Sequence, residues 1–167
     1  MKKLLPLLGL APIVSAQCPD TPSPNFSCTS SNGQTHITLF QNAELQWDRF
    51  DIPAGGSLDI TSSGGIFSSK HLTSGFSPSS INGPITADGP FALINPAGIQ
   101  VESAGSITAP ALTLSTLPQF NGTEYLGNTR SGQMVIQGNL LATSGDATLL
   151  GYQITSSGTL SPSFHAN

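Results

Sequence analysis

The residues that could support acid–base chemistry are few and mostly far apart in the sequence. Glu44, Asp48 and Asp51 surround Arg49, which places carboxylates and a cation within one short segment. Lyase or hydrolase chemistry needs such groups to project together from one face of the fold. The other acids are scattered, and we interpret them as solvated turn residues: Asp59, Asp88, Glu102, Glu124 and Asp146.

Histidine and serine also lack the spacings that catalysis or metal binding requires. No two histidines have the spacing of metal ligands, and no serine lies in a G-x-S-x-G context. The histidines are His36, His71 and His165. Trp47 could stack on a sugar, but its neighbours Leu45 and Phe50 favour a core or capping position. We therefore expect no catalytic, cofactor-binding or metal-binding residues and no enzyme activity.

The N-terminus has the features of an export signal. Lys2 and Lys3 precede an apolar run from Leu4 to Val14, and small residues at Ser15 and Ala16 follow. This pattern predicts a signal peptide over residues 1–16, cleaved before Gln17. The run is too short to span a bilayer, and no later stretch is apolar enough to do so. We expect an exported chain without a transmembrane segment.

Two cysteines follow the predicted cleavage site. Cys18 and Cys28 lie ten residues apart in a segment rich in proline, serine and threonine. Because the environment after export is oxidising, the pair predicts a disulfide rather than a metal site. Residues 17–34 show no periodicity, so we expect an irregular leader that the disulfide holds in place.

Charge limits the partners that the chain can bind. Five Lys and Arg residues face nine Asp and Glu residues, and removal of Lys2 and Lys3 leaves three basic residues and a formal charge of −6. No basic patch is present, which argues against nucleic acid and anionic membranes as partners. Only 8% of residues are charged and 37% are hydrophobic. This composition is typical of short strands joined by many turns.

Alternating residues and turn signals divide the following chain into short strands. Ile37 and Leu39 alternate with polar residues, and a second strand or two is expected within Ala43–Asp51. A Pro-Ala-Gly-Gly turn then precedes another alternating run at Ser57–Thr61. We predict a surface loop over residues 62–80, including Lys70 and His71, with one short strand at Ile66-Phe67. No helix is expected after the signal peptide.

A repeat dominates the second half of the chain. A glycine, an apolar residue two positions later and a small residue recur with anchors Ile85, Ile107, Leu140 and Leu160. Their separations of 22, 33 and 20 residues match one coil of a parallel β-solenoid, with the longer gap explained by an excursion at Gln119–Arg130. Further apolar runs follow the first three anchors at Phe91–Ile94, Ala111–Leu114 and Ala147–Leu150. We predict an all-β domain over residues 35–167, a parallel β-helix.

One turn within this repeat is distinctive. Asn95-Pro96-Ala97-Gly98-Ile99 lies between two apolar runs, and Trp47 with Phe50 precedes a Gly-Gly turn. Together with the alternating opening and the repeat, these motifs resemble the two-partner-secretion domain of filamentous haemagglutinin and haemolysin-type exoproteins (the haemagglutination activity domain). The resemblance covers about residues 32–162. Ala97 stands where this family usually has asparagine.

The resemblance implies both a fold and an export route. Members of this family form a right-handed β-helix with an N-terminal cap. They pass through the periplasm and are recognised by an outer-membrane transporter with POTRA domains, which secretes them. The chain would then be the non-catalytic secretion domain of an adhesin-like exoprotein at the cell surface, with host or cell-surface glycans or proteins as further partners. Family members continue for hundreds of residues, so we expect either a truncated exoprotein or a small member that caps its own end.

The resemblance assigns transporter recognition to the turn residues Asn95, Pro96, Gly98 and Ile99. Pro96 fixes one turn torsion and Gly98 permits another, so we expect Asn95 to be presented as an exposed polar group. Asparagine and glycine also favour turns for purely structural reasons, and both roles stay open. Two alternative functions also stay open: a β-solenoid polysaccharide lyase or hydrolase, and a small glycan-binding solenoid with a flat Thr/Ser face.

Overall fold

Short apolar runs separated by turns form strands that stack on one another in three sheets, all parallel apart from the antiparallel N-terminal strand. The computed structural model describes residues 17–74, 76–117 and 132–161, together with the strand Phe164–Ala166. The first sheet contains, in spatial order, β1 (Phe26–Ser31), β2 (Gln34–Leu39), β4 (Ser57–Ser62), β7 (Pro84–Ala87), β10 (Ser106–Ala109), β13 (Asn139–Ala142) and β16 (Thr159–Ser161).

The other two sheets complete each coil. The second sheet contains β3 (Ala43–Trp47), β5 (Ser69–Thr73), β8 (Phe91–Ile94), β11 (Leu112–Ser115), β14 (Ala147–Leu150) and β17 (Phe164–Ala166). The third contains β6 (Ser79–Ile81), β9 (Ile99–Val101), β12 (Met134–Ile136) and β15 (Ile154–Ser156). A complete coil, such as β4–β5–β6, takes one strand from every sheet, and the first coil contributes β2 and β3 with only an isolated bridge from Ile52 to the third sheet. The chain thus winds through about five coils. The all-β solenoid prediction is confirmed, and the described ranges contain no helix.

The repeat anchors stack in register along the first sheet, as predicted. Ile107 pairs with Ile85 on one side and with Leu140 on the other, and Leu140 pairs with Leu160. Leu58 extends the same column in the preceding coil. Ile85, Ile107 and Leu140 are at most 1% exposed, because neighbouring coils cover what one coil cannot bury alone. The 33-residue gap therefore spans one coil, while the predicted excursion Gln119–Arg130 lies outside the described residues.

The repeat glycines allow adjacent coils to approach closely. They occur where the third sheet turns into the first, just before each first-sheet strand. A Cβ on Gly105 would overlap the carbonyl oxygen of Ile81, and a Cβ on Gly138 would overlap the carbonyl oxygen of Gly105. Gly83 and Gly158 are crowded in the same way by glycine carbonyls of the preceding coil. Glycine at this position is thus a requirement of stacking.

Two predictions about the first half of the chain are wrong. Phe26–Ser31, placed in an irregular leader, forms β1 and pairs antiparallel with β2 across a turn at Asn32 and Gly33, both with positive φ. Ser69–Thr73, placed in a surface loop, forms β5 inside the second sheet, whereas Ile66-Phe67 forms no strand. Both segments are short and polar, and sheet pairing with distant strands determines their conformation.

The described part of the chain contains no helix long and apolar enough to cross a membrane.

The core is a continuous apolar column enclosed by the three sheets, with side chains from alternate positions of each strand pointing inward. Polar and charged side chains occupy the outward positions of β2 and β4, whereas outward positions elsewhere in these two sheets include Leu72, Ala92 and Leu141. Candidate binding groups are therefore confined to outer faces and to the corners between sheets.

Candidate functional site

The Asn95–Gly98 segment forms a tight turn at the corner between the second and third sheets. The Gly98 amide donates to the Asn95 carbonyl over 3.0 Å, and the Ala97 amide donates to Asn95 Oδ1 over 2.9 Å. Gly98 has a φ of 132°, and a Cβ there would lie 3.0 Å from the Gln133 carbonyl oxygen. Gly98 therefore combines a left-handed conformation with a close approach of the next coil.

Asn95 is buried, so the expectation of an exposed polar group is wrong. Asn95 is only 1% exposed. Its side-chain Nδ2 donates to the Ser77 carbonyl over 3.0 Å and to Ser79 Oγ over 2.9 Å. Its backbone amide donates to the Ser115 carbonyl over 2.9 Å. Asn95 thus links three successive coils. Asn95 is buried because the turns of the neighbouring coils supply hydrogen-bond partners on the inner side of this corner.

The remaining turn residues divide between core and surface. Ile99 is fully buried and pairs with Ser79 and Met134 on the neighbouring strands. Pro96 and Ala97 are half-buried and face outward. The four residues assigned to recognition by resemblance therefore lie together, yet Asn95, Gly98 and Ile99 are all buried. The part of this corner that a partner can reach must include other residues.

The N-terminal cap covers the first coil and is fixed by the disulfide. Cys18 and Cys28 are bonded, with their Cα atoms 5.8 Å apart. The Asp20 amide donates to the Gln46 carbonyl over 3.0 Å, and the Asp20 carboxylate accepts from the Asp48 amide. The leader is therefore attached at β1, at the end of β3 and at the turn that follows. These contacts stabilise the exposed end of the stack.

A buried aromatic cluster lies beneath this cap. His71 is fully buried among Trp47, Phe50 and Phe91, with ring centroids 5.7, 5.3 and 4.8 Å away. Its Nδ1 accepts a hydrogen bond from Trp47 Nε1 over 3.2 Å, which places the proton of the neutral ring on Nε2. Burial lowers the pKa of His71 to about 3. Trp47 is 5% exposed, so its predicted core position is confirmed.

The outer face of the first sheet carries the arrangement that most resembles catalytic machinery. His36 Nδ1 lies 3.0 Å from Asp59 Oδ2, and His36 Nε2 lies 3.3 Å from the hydroxyls of Thr38 and Thr61. Thr86 donates to Asp59 Oδ1 over 2.5 Å. An open groove of about 430 Å³ next to this network is lined by Thr29, Ser31, Asn32, Gln34, Thr35, His36, Ser57 and Asp59.

This network lacks the other parts of an active site. The His36 and Asp59 side chains are 46% and 50% exposed, so solvent screens their interaction. His36 lies on β2 and Asp59 on β4, and each of these strands pairs with a neighbouring strand on both sides. Their backbone amides are therefore engaged in the sheet, whereas an oxyanion hole would need such amides as donors. The other described ion pairs, Glu44–Lys70 and Arg49–Asp51, belong to β3–β5 and to the turn after β3. In the described ranges no three His, Cys, Asp or Glu residues group as a metal site.

Comparison with known proteins decides the family. The model of the TPS secretion domain matches residues 25–163, from the residue before β1 to beyond the end of β16. The chain belongs to the TPS secretion-domain family. The match includes the cap hairpin, the buried aromatic cluster and the Asn95 turn within a single family domain.

A solved TPS structure shows the same fold. The crystal structure of the HMW1 secretion domain from Haemophilus influenzae resembles this chain with a TM-score of 0.73 and 19% sequence identity. The alignment covers 81% of this chain and 39% of that one, so this chain spans about two fifths of its length. At this identity the likeness establishes the solenoid fold alone. No curated protein sequence matches the chain.

Sequence reasoning missed two features of this TPS domain. The predicted surface loop includes His71, although Ser69 and His71 alternate with outward Lys70 and Leu72, a period-two signal that favours the strand β5. The predicted loop also includes the segment before β6, to which the sequence assigns no further role. There Phe76 is 102% exposed and adjoins Ser77, the hydrogen-bond partner of Asn95. No sequence pattern marked this contact.

Proposed function

We propose that this chain is the secretion domain of an exported exoprotein. Residues 1–16 direct it across the inner membrane and are removed before Gln17. The mature chain then crosses the periplasm and is recognised by an outer-membrane transporter with periplasmic POTRA domains. The observation that carries this proposal is the match of the TPS secretion-domain model across residues 25–163.

The architecture is consistent with export followed by folding outside the cell. Each coil pairs with the coil before it, so a chain that emerges from its N-terminus can add coils to a preformed cap. The cap hairpin and the Cys18–Cys28 bond supply the first template. The folded right-handed β-helix then lies at the cell surface or in the medium, as an adhesin-like protein that contacts host or cell-surface glycans or proteins.

We propose that the domain has no catalytic activity. A solenoid lyase or hydrolase would require at least two acids and a cation converging on one outer groove. The groove on the first sheet contains a single acid, Asp59, and a histidine already engaged by it. No observation on the described residues favours the lyase or hydrolase, or a regular glycan-binding face, over secretion.

Secretion from a reconstituted pair tests the proposal. The chain is expressed in a Gram-negative host with and without its cognate outer-membrane transporter, and protein is quantified in medium and periplasm. We expect the protein in the medium only when the transporter is present, and in the periplasm otherwise. Equal amounts in the medium with and without the transporter would contradict the proposal. A chain without residues 1–16 controls for cell lysis, since it should stay inside the cell.

A further inference from the structure

The buried aromatic cluster joins the first three coils at the N-terminal end of the stack. Trp47 and Phe50 belong to the first coil, His71 to the second and Phe91 to the third. The strand of His71, β5, pairs with β3 on one side and with β8 on the other. The rings of Trp47 and Phe91 lie 5.7 and 4.8 Å from the His71 ring, measured between centroids. His71 is therefore packed against both neighbouring coils.

The surroundings of His71 accept only the neutral ring. Trp47 Nε1 donates a hydrogen bond to Nδ1 over 3.2 Å, so Nδ1 carries no proton. A proton added to Nδ1 would point at this N–H group and replace the hydrogen bond with a contact between two donors. Nε2, which carries the proton of the neutral ring, has no hydrogen-bond partner among the described residues. A charged ring would thus have two buried N–H groups and an acceptor for neither.

No charged side chain in the described ranges faces His71 to offset a positive charge. The strand β8 contains no titratable residue, and across the core His36 and Asp59 pair on the outer face of the first sheet. The charged residues of the cap, β3, β5 and the turn after β3 bind partners on the outer side of the coils: Asp20, Glu44, Asp48, Arg49, Asp51 and Lys70. Burial without a counter-charge lowers the pKa of His71 from 6.5 to about 3.

Moving His71 into water opens one end of the stack and leaves the other end paired. The ring reaches water only if β5 leaves the second sheet, which breaks its pairing with β3 and with β8. The cap is released with the first coil, to which the Asp20 amide attaches it at the Gln46 carbonyl. Further along the same sheet, β11 and β14 pair with each other. Because each coil of a solenoid interacts mainly with its neighbours, these later coils can stay folded.

We propose that the His71 cluster is an acid-sensitive latch, in which protonation of His71 releases the cap and the first two coils while the later coils stay stacked. The open form takes up a proton that the closed form excludes, so acid favours the open form. The closed form keeps its full stability above pH 6.5 and loses stability progressively as the pH falls from 6.5 towards 3. The latch is a property of the folded chain and does not depend on the route of export.

Hydrogen exchange at pH 7.5 and pH 5.0 tests the latch on the purified mature chain with its disulfide intact. Exchange rates are converted to protection factors, which removes the direct effect of pH on the exchange chemistry. Protection in β3 and β5 should fall about thirtyfold between the two pH values, because each pH unit below 6.5 contributes up to about tenfold. Protection in β12 and β13, two coils beyond the latch, should change by less than about threefold.

Two variants and one spectrum assign the effect to His71. His71→Leu should have nearly equal protection in β3 and β5 at both pH values, because opening takes up no proton at this position. His36→Gln removes an exposed histidine from β2 and should keep the thirtyfold loss. If His71→Leu does not fold, nitrogen NMR of wild type takes its place, and the folded chain should show a neutral His71 ring with its proton on Nε2 at pH 5.0. A protonated His71 ring in the folded chain at pH 5.0 would overturn the latch.

Fluorescence gives an independent reading of the latch, since Trp47 is the only tryptophan in the chain. During acid titration the Trp47 emission should change at a higher pH than the circular dichroism signal of the sheets. Coincident changes, or equal losses of protection in β3, β5, β12 and β13, would show that the stack opens as one unit and would overturn a local latch. Unchanged protection in β3 and β5 at pH 5.0 would overturn acid sensitivity itself. Secretion is tested separately by the comparison of medium and periplasm.

Discussion

At the scale of single residues, two buried polar side chains connect successive coils. Asn95 bonds to Ser77 and Ser79 in the preceding coil, and His71 accepts from Trp47 while it packs against Phe91 in the following one. Apolar columns specify burial but tolerate small shifts between coils. Directional hydrogen bonds at these two positions define the register more strictly.

His71 should make the domain less stable in acid. Its pKa is lowered from 6.5 to about 3 because burial disfavours the charged ring. Between these two pH values the unfolded chain binds a proton that the folded chain excludes, so stability falls as pH drops. The His71 contribution is fully present above pH 6.5 and is lost at about 1.4 kcal/mol per pH unit below it. We expect the free energy of unfolding to be about 2 kcal/mol lower at pH 5.0 than at pH 7.5 from this residue alone.

Urea unfolding of three proteins at both pH values measures this contribution. His71→Leu matches the leucines that neighbour this column, Leu45 and Leu93, and should remove most of the difference between the two pH values. It should be less stable than wild type at pH 7.5, because Trp47 Nε1 loses its acceptor. At pH 5.0 the two proteins should be closer in stability, because only wild type has lost the His71 contribution. His36→Gln controls for the loss of an exposed histidine and should retain the wild-type difference. An unchanged pH dependence in His71→Leu would show that the buried ring is not responsible.

At the scale of structural elements, the repeat glycines allow each coil to pack closely on the coil before it, and the cap covers the first coil. The sequence repeat predicted the columns of the first sheet correctly, because Ile85, Ile107 and Leu140 pair with one another regardless of what lies between them. It did not predict β1, whose polar sequence becomes a strand only by pairing with β2. The burial of Asn95 was likewise hidden, since its partners Ser77 and Ser79 belong to another turn.

Gly105→Ala should be strongly destabilising. The added methyl group would overlap the Ile81 carbonyl oxygen, and backbone on both sides prevents a local adjustment. We expect a loss of about 3 kcal/mol or more, in the range of severe overpacking. Ser103→Ala, in the same turn but exposed, should stay within about 0.5 kcal/mol of wild type. Thermal melts of the two variants make the comparison, and similar melting temperatures would contradict the proposed close packing of coils.

The disulfide should stabilise the cap more than the coils. Replacing Cys18 and Cys28 with serine releases a constraint that closes a short loop, worth about 2–3 kcal/mol. Hydrogen exchange should accelerate in Phe26–Ser31 and change little in Met134–Ile136, which lies several coils away. Reduction of the wild-type protein should reproduce the pattern. Equal acceleration in both strands would instead indicate that the cap and the coils unfold as one unit.

At the scale of the whole molecule, the structure divides its tasks among surfaces. The interior is a continuous apolar column, the outer faces of β2 and β4 present hydroxyl and charged groups, and the turns at Phe76 and Tyr152 expose aromatic side chains. The family match assigns the domain to secretion. The proposed role therefore requires the chain to direct export rather than to catalyse a reaction.

Export of a fused passenger tests this central claim most directly. An unfolded Gly/Ser-rich passenger is placed after Asn167 and expressed with the cognate transporter. The amount of passenger in the medium is then compared with that of the same passenger carrying only residues 1–16. We predict that passenger reaches the medium only when the whole chain and the transporter are both present. Passenger that remains in the periplasm, although the transporter is functional and the chain is folded, would contradict the account.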